Sequence, residues 1–238
     1  MPTTITTEQF SGFRREAIQF LADLAANNER AWFQPRKGEY ERLLKYPLEA
    51  LVGALAERFT ARGIPLRADP ARSIFRIYRD VRFSKDKSPY KTNLGAGFPW
   101  VEEGPGDTAA MHAGGGLGGY FHFQPGDMYV GGGMWQPESA TLAAWRETVA
   151  ERNRAVHDAL DDPSFTKAFG KINGEQFKRV PAGSPADHPD IELLKLKQLL
   201  FGRRLSDRDV KSPKLPDLIA DSFAAAMPVM RLLASVAR

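Results

Sequence analysis

Most of the side chains that could do chemistry in this chain lie in one stretch, RIYRDVRFSKDKSPYK, residues 76–91. The stretch holds six cationic side chains and two carboxylates, and its net charge of +4 equals that of the whole 238-residue protein. Charge confined to one segment is typical of a discrete anion site, whereas a chain that is basic throughout favours general binding to polyanions. The sequence therefore predicts an anion-binding segment here.

Arg79 has the least expected position in this segment. From residue 73 to residue 83 apolar residues alternate with others, which predicts a β-strand. The apolar face of that strand carries Phe75, Ile77, Val81 and Phe83, together with Arg79. Because a buried guanidinium without a partner costs several kcal/mol, three alternatives remain open. Arg79 pairs with a carboxylate of the protein, or it pairs with a bound anion, or the strand lies at an edge where the side chain reaches solvent.

The opposite face of the strand offers further anion ligands. Asp80 and Arg82 lie two residues apart, about 6.6 Å along a strand. An anion could bridge Arg76 or Arg82 while Asp80 orients one guanidinium, although a charge-paired solvent face is the ordinary alternative. Asp80 and Asp86 are the candidate acid–base groups, and the wider set of candidate ligand-binding residues is Arg76, Arg79, Arg82, Ser84, Lys87, Tyr90, Lys91, Gly132 and Gly133.

Two glycine-rich segments have different prospects. GGGLGG, residues 114–119, fits the spacing of a dinucleotide-binding loop, but YFHF follows it as a strand where that loop requires a helix, so we reject the motif. Residues 131–133 are three glycines that lead towards a helix near Pro137. Backbone could approach a ligand closely there, with close strand packing or a bulge as the alternative.

Several chemistries are excluded or not indicated. The chain has no cysteine, which removes disulfides, thiolate catalysis and cysteine-bound zinc. Its four histidines show no paired spacing of metal ligands, and no cofactor is indicated. The first residues lack a basic segment followed by an apolar run, and no uninterrupted stretch of about 18 apolar residues occurs, so we expect neither export nor a membrane span. The expected location is the cytoplasm.

The order of elements predicts the fold class. We expect a helix near residues 14–26, a helical apolar set at 40–44, a second helix from Pro47 to Gly63, and strands at 73–83 and 94–103. GYFHFQPGDMYVGG predicts a hairpin with a Pro-Gly turn, and helices follow near 137–161 and 215–238. This order favours an α+β fold with a mainly antiparallel sheet and flanking N- and C-terminal helices. We expect one domain over residues 1–238, with a candidate sub-boundary in the loop-rich segment 163–190.

The chain resembles the bacterial and fungal family called domain of unknown function 2461. FLADLAANNERAWF, RIYRDVRFSKDKSPYKTN and GGGMWQP carry the resemblance, which runs from Phe20 to about Arg146 and more loosely to the C-terminal helix. It implies that the residues of the second motif belong together, and it brings no known activity. GPGDTAAMHAGGGLGG, residues 104–119, is longer than the family's usual segment and predicts a loop insertion. The co-occurrence of the three motifs suggests that they meet around one pocket.

Three functions remain open at this stage. The first is binding of a phosphate-bearing small molecule or nucleotide through residues 76–91, with or without enzymatic activity on it. The second is a nucleic-acid binding module in which Tyr78, Phe83 and Tyr90 stack on bases, and it would show a steep dependence on salt. The third is a structural or interaction protein with an internal salt-bridge network, in which Arg79→Ala would cost about 3–5 kcal/mol if the pair were buried.

Overall fold

A computed structural model of the protein describes residues 9–101, 116–151, 153–181, 183 and 187–237. Residues 104–115 of the predicted loop insertion at 104–119 lie outside the described residues. Ten α-helices lie within the described residues, and four strands form one sheet.

The helices before the sheet follow each other closely. Helix α1 spans Arg15–Ala26, and a second helical stretch runs from Arg30 to Ala61 through α2 (Arg30–Phe33), a 3-10 turn, α3 (Lys37–Tyr40), a π turn and α4 (Tyr46–Ala61). Pro47 lies in the first turn of α4, where its missing N–H costs nothing, as the sequence predicts. The chain before it nevertheless stays helical, because the π turn at Glu41–Lys45 joins the two parts.

The sheet is antiparallel throughout, in the order β1 (Leu94–Pro99), β2 (Gly118–Gln124), β3 (Asp127–Met134) and β4 (Leu199–Arg204). The predicted Pro-Gly hairpin is confirmed: β2 and β3 pair from Gly118↔Gly133 to Gln124↔Asp127, and Gly126 takes the positive φ of 76° that the turn requires. The predicted second strand is confirmed over its first six residues, which form β1.

The predicted strand at residues 73–83 is wrong: only isolated bridges form there, at Ile74 and Tyr78. Ile74 pairs with Ala96 at the edge of β1, and Tyr78 pairs with Tyr90, so the chain folds back on itself as a hairpin-like excursion. Asp80 bends the backbone, because its Oδ1 accepts a hydrogen bond from the N–H of Arg82 at 3.2 Å. Phe83, predicted on the apolar face, is therefore 95% exposed.

The helices after the hairpin are α5 (Ser139–Glu151), α6 (Asn153–Leu160), α7 (Pro163–Phe169), α8 (Ile191–Leu194), α9 (Asp207–Val210) and α10 (Leu215–Val236). Helix α10 covers one face of the sheet, where the ring of Phe223 packs so closely on Gly119 that a Cβ there would overlap it. By length and composition α10 could cross a membrane, but half of its most apolar window is buried inside the fold. The architecture is the predicted α+β class, with helices at both ends of the chain.

A glycine-floored aromatic cavity as the candidate ligand site

The face of the sheet opposite α10 carries few side chains at its centre. Glycines face each other there across the strands, as Gly118 with Gly133 and Gly131 with Gly202. Tyr120 lies opposite Gly131 in the same register. Alternation along the strands places these residues on one face, while Phe121, Phe123 and Val130 point to the buried side. The result is a depression floored by backbone.

The depression is a cavity of about 480 Å³, within the usual size range of small-molecule sites. Five aromatic residues line it, and Trp135 is 54% exposed among them. None of the lining side chains carries a formal charge. The lining residues are Phe75, Gly116, Gly118, Tyr120, Tyr129, Gly131, Gly132, Gly133, Trp135, Asn173, Leu200, Phe201 and Gly202.

The glycines of β3 are also required by the sheet itself. Gly133 has φ of 112°, and a Cβ on it would overlap the carbonyl oxygen of Leu199. A Cβ on Gly131 would overlap the carbonyl oxygen of Phe201. The close-packing alternative therefore holds at these two positions. Gly202 differs, because a Cβ there would meet only the carbonyl oxygen of Val130 at 3.6 Å.

Tyr120 and His122 form a hydrogen-bonded pair on this face. The Tyr120 Oη lies 3.1 Å from His122 Nδ1, and Asn93 Nδ2 lies 3.4 Å from the same nitrogen. Both neighbours can donate a hydrogen bond to Nδ1, and the direction of each bond follows the tautomer of the ring. Burial lowers the pKa of His122 and raises the pKa of Tyr120. These opposite shifts disfavour proton transfer from Tyr120 to His122, so both side chains stay neutral and serve to shape this face.

The basic segment contains its own counter-ions. Arg79 forms an ion pair with Asp86, with Ser84 Oγ at 3.5 Å, so the carboxylate alternative is the correct one. Arg82 holds Asp80 through Nε at 3.0 Å and Nη2 at 2.7 Å. Lys87 donates from Nζ to the carbonyl oxygen of Val81 at 2.9 Å. Three of the five predicted anion-binding cations thus already have partners.

Both candidate acid–base carboxyl groups have a lowered pKa in this setting. Hydrogen bonds from Arg82 lower the pKa of Asp80 to about 2. Hydrogen bonds from Ser88, and then from Arg79, hold the pKa of Asp86 well below its ordinary value. A carboxylate of this kind stays ionised at neutral pH and is a weak proton acceptor. These two groups are better suited to fixing the loop than to proton transfer.

Arg76 and Lys91 are in a different position. Within the described ranges neither has a carboxylate oxygen within 4 Å. The Lys91 Nζ lies 5.3 Å from the centroid of Phe75, a wall of the cavity that packs edge-on against Tyr120 at 5.8 Å. Burial, and then the charge of Arg76, lower the pKa of Lys91. Lys91 therefore lies beside the Phe75 end of the cavity and within electrostatic reach of Arg76, and neither cation forms a direct ion pair among the described residues.

The first two sequence motifs meet, whereas only the third, GGGMWQP, lines the cavity. Asn28 bonds the backbone of Tyr90, whose ring stacks on Phe33 at 4.1 Å. Tyr90 is 1% exposed, so it is a packing residue and cannot stack on a base. Of the predicted ligand-binding residues only Gly132 and Gly133 line the cavity.

Sequence reasoning missed Phe75, Tyr120, Tyr129, Trp135 and Asn173 as site residues. Alternation along GYFHF could have placed Tyr120 and His122 together on the face away from Phe121. Asn173 gives no such signal, because only its bridge to Leu200 brings it to the sheet. As for metal, no group of three His, Asp or Glu side chains is placed to hold an ion in the parts of the chain that the structure describes.

The fold and the site define an α+β protein whose antiparallel sheet carries helices on one face and an open aromatic cavity on the other. The model of the family described as "Conserved hypothetical protein (DUF2461)" matches residues 16–232. The chain belongs to this family, domain of unknown function 2461, as its three motifs predict. Comparison with curated proteins and with solved structures gives no match.

Proposed function

We propose that the protein binds a phosphate-bearing small molecule, most simply a nucleotide, with its planar part in the cavity and its phosphate at Arg76 and Lys91. The observation that supports this proposal is the position of Lys91 at a wall of an uncharged aromatic cavity, within electrostatic reach of Arg76, where neither cation forms a direct ion pair among the described residues.

The cavity suits a flat, uncharged group. Aromatic rings stack on flat groups at little entropic cost, since they have only two side-chain torsions to fix. A floor of glycines lets such a group approach the backbone more closely than a floor with side chains would. Tyr120 and Asn173 add hydrogen-bonding groups in the wall that could orient the ring.

The anion belongs at Arg76 and Lys91. Arg79, Arg82 and Lys87 already have partners within the basic segment, and a phosphate would compete with those contacts. An anion between Arg76 and Lys91 would instead relieve their mutual repulsion, and Arg76 could grip it with two N–H groups. The proposal therefore keeps the predicted ligand class and narrows the cationic set to these two residues.

The proposal assigns binding and no reaction, because the two candidate acid–base carboxylates are fixed in ion pairs. We also propose a cytoplasmic location, with which a chain that has no cysteine is compatible.

Thermal-shift and calorimetric titrations test the proposal with nucleoside mono-, di- and triphosphates, sugar phosphates, inorganic phosphate and uncharged nucleosides. Nucleotides should stabilise the protein more than either phosphate or nucleoside alone, since only they fill both parts of the site. Lys91→Ala and Arg76→Ala should each weaken binding about tenfold or more, as expected for loss of a charge-assisted contact. Gly202→Val should block the ring by filling the floor.

Lys85→Ala is the matched control, because it removes one charge from the same segment at an exposed position with no bonded partner described in the structure. It should bind like the wild type. The proposal fails if no ligand stabilises the wild type, or if Lys85→Ala weakens binding as much as Lys91→Ala does.

A further inference from the structure

The loop between the two paired parts of the basic segment presents a single aromatic ring to solvent. We call residues 80–88 the basic loop. Phe83 within it is 95% exposed, far more than any other large hydrophobic side chain in the described residues. Tyr78, where the loop leaves its paired base, is 46% exposed. Neither ring belongs to the cavity lining.

The basic loop is held in one conformation despite its exposure. Asp86 accepts from the N–H of Ser88 at 2.9 Å and from its hydroxyl at 2.6 Å. The Asp80–Arg82 and Arg79–Asp86 pairs and the bond from Lys87 to Val81 fix the remaining turns. A preorganised loop loses little entropy on binding, so a ring displayed in this way is a good anchor for a partner.

The charge of the loop selects the kind of partner. Both carboxylates are already neutralised by arginines, whereas Lys85 and Lys87 have no carboxylate partner within 4 Å among the described residues. The partner is therefore anionic. A second copy of this chain that offered its aromatic cavity would bring Arg76 and Lys91 towards these cations, and the repulsion argues against it.

The spacing of the exposed rings distinguishes between anionic partners. Tyr78 at the base and Phe83 near the tip have cationic Arg82 between them along the chain, with Lys85 just beyond. Rings interleaved with cations match the alternation of bases and phosphates in a single strand, while a bilayer would take up the tip alone. We propose that the basic loop binds single-stranded nucleic acid, with Phe83 stacking on a base and Lys85 contacting a phosphate.

Fluorescence anisotropy with labelled 12-nucleotide oligo(dT) and oligo(U), which form no duplex, tests this inference. Phe83→Ala should weaken binding about 5- to 150-fold, the range for loss of one stacked base. Phe83→Trp should restore it, and the added indole should be quenched as the strand binds. Lys85→Ala should reduce the slope of log K against log salt by about 0.7, as for one phosphate contact with a single strand.

Tyr46→Ala is the matched control, since Tyr46 is 51% exposed beside Lys45 on helix α4. It should bind the oligonucleotides like the wild type. The inference is overturned if neither oligonucleotide binds at 50 mM salt, if Phe83→Ala binds unchanged, or if Phe83 is needed only for vesicles of phosphatidylglycerol and phosphatidylcholine. Phe83 lies outside the cavity, so its variants should leave nucleotide binding there unchanged.

Discussion

The side chain of Asn28 pairs with the backbone of Tyr90 as a neighbouring strand would. Asn28 Nδ2 donates to the Tyr90 carbonyl oxygen at 2.9 Å, and the Tyr90 N–H donates to Asn28 Oδ1 at 3.0 Å. Tyr90 in turn pairs with Tyr78, so the amide extends a ladder that begins at the base of the basic loop. Asn28, two residues after the end of α1, thus fixes the start of the segment that leads from the loop to Lys91.

Replacing Asn28 should therefore destabilise the protein more than its partial exposure suggests. Asn28→Ala leaves a partly buried N–H and carbonyl of Tyr90 without partners, at a cost of about 1–3 kcal/mol. Urea unfolding measures this loss. Asn27→Ala is the control: its side chain bonds only the exposed Asp23 carbonyl at 2.9 Å, and the loss should stay below about 0.5 kcal/mol. Equal losses for the two variants would contradict the proposed ladder.

Two glycines of the cavity floor should respond very differently to a methyl group. Gly133→Ala forces a residue with a Cβ into φ of 112° and against the Leu199 carbonyl, so we expect a loss of about 3 kcal/mol or more. Gly202→Ala meets only an ordinary contact at 3.6 Å and should cost less than about 1 kcal/mol. Chemical denaturation of both variants decides the matter, and similar losses would show that the strand β3 can relax at Gly133.

Part of this arrangement could be predicted from sequence because local rules set it. Period-two alternation and the Pro-Gly turn predicted the hairpin, since both act over a few residues. The same alternation failed at residues 73–83, where only isolated bridges form and the Asp80 side chain bonds the backbone of Arg82. Propensity and periodicity do not register such a side-chain bond.

The cavity itself was out of reach for a different reason. Its glycines were recognised as a run, but Phe75 and Asn173 reach it only through bridges to β1 and β4. The Asn28–Tyr90 contact likewise joins residues 62 apart in the chain. Pairings of this range depend on how the sheet edges are covered, which no local pattern encodes.

The stability of the protein should depend on pH near neutrality through His157. Its Nδ1 lies 3.0 Å from Asp161 Oδ2 and its Nε2 lies 3.0 Å from Asp190 Oδ1, so the ring joins α6 to the segment before α8. Hydrogen bonds from the imidazole to Asp161, and then to Asp190, raise its pKa above the ordinary 6.5. Because the folded pKa is raised, the stabilisation is complete below pH 6.5 and is lost as the pH rises through the folded value.

Wild type should therefore exceed His157→Gln in unfolding free energy at pH 5.5, and the difference should shrink towards pH 9. The site is partly exposed, so solvent screening should keep the difference below about 1 kcal/mol. An NMR titration should place the midpoint of His157 above 6.5. A midpoint at or below that value, with a difference that is constant with pH, would refute the ion-pair account.

Breaking the Arg79–Asp86 pair should loosen the basic loop without unfolding the protein. The pair is partly exposed, with 28% of the Arg79 side chain and 59% of the Asp86 side chain accessible, so the large penalty of a broken buried pair does not apply. Arg79→Ala should lower the melting temperature by no more than about 4 °C. Hydrogen exchange in residues 80–88 should nonetheless accelerate, because the loop has few other contacts that hold it.

Arg72→Ala, which removes an exposed pair with Asp69 outside the loop, should leave that exchange unchanged. If Arg79→Ala instead destabilised the whole fold and left loop exchange no faster than in the rest of the chain, the pair would be part of the core scaffold, and the preorganised display of Phe83 would need another cause.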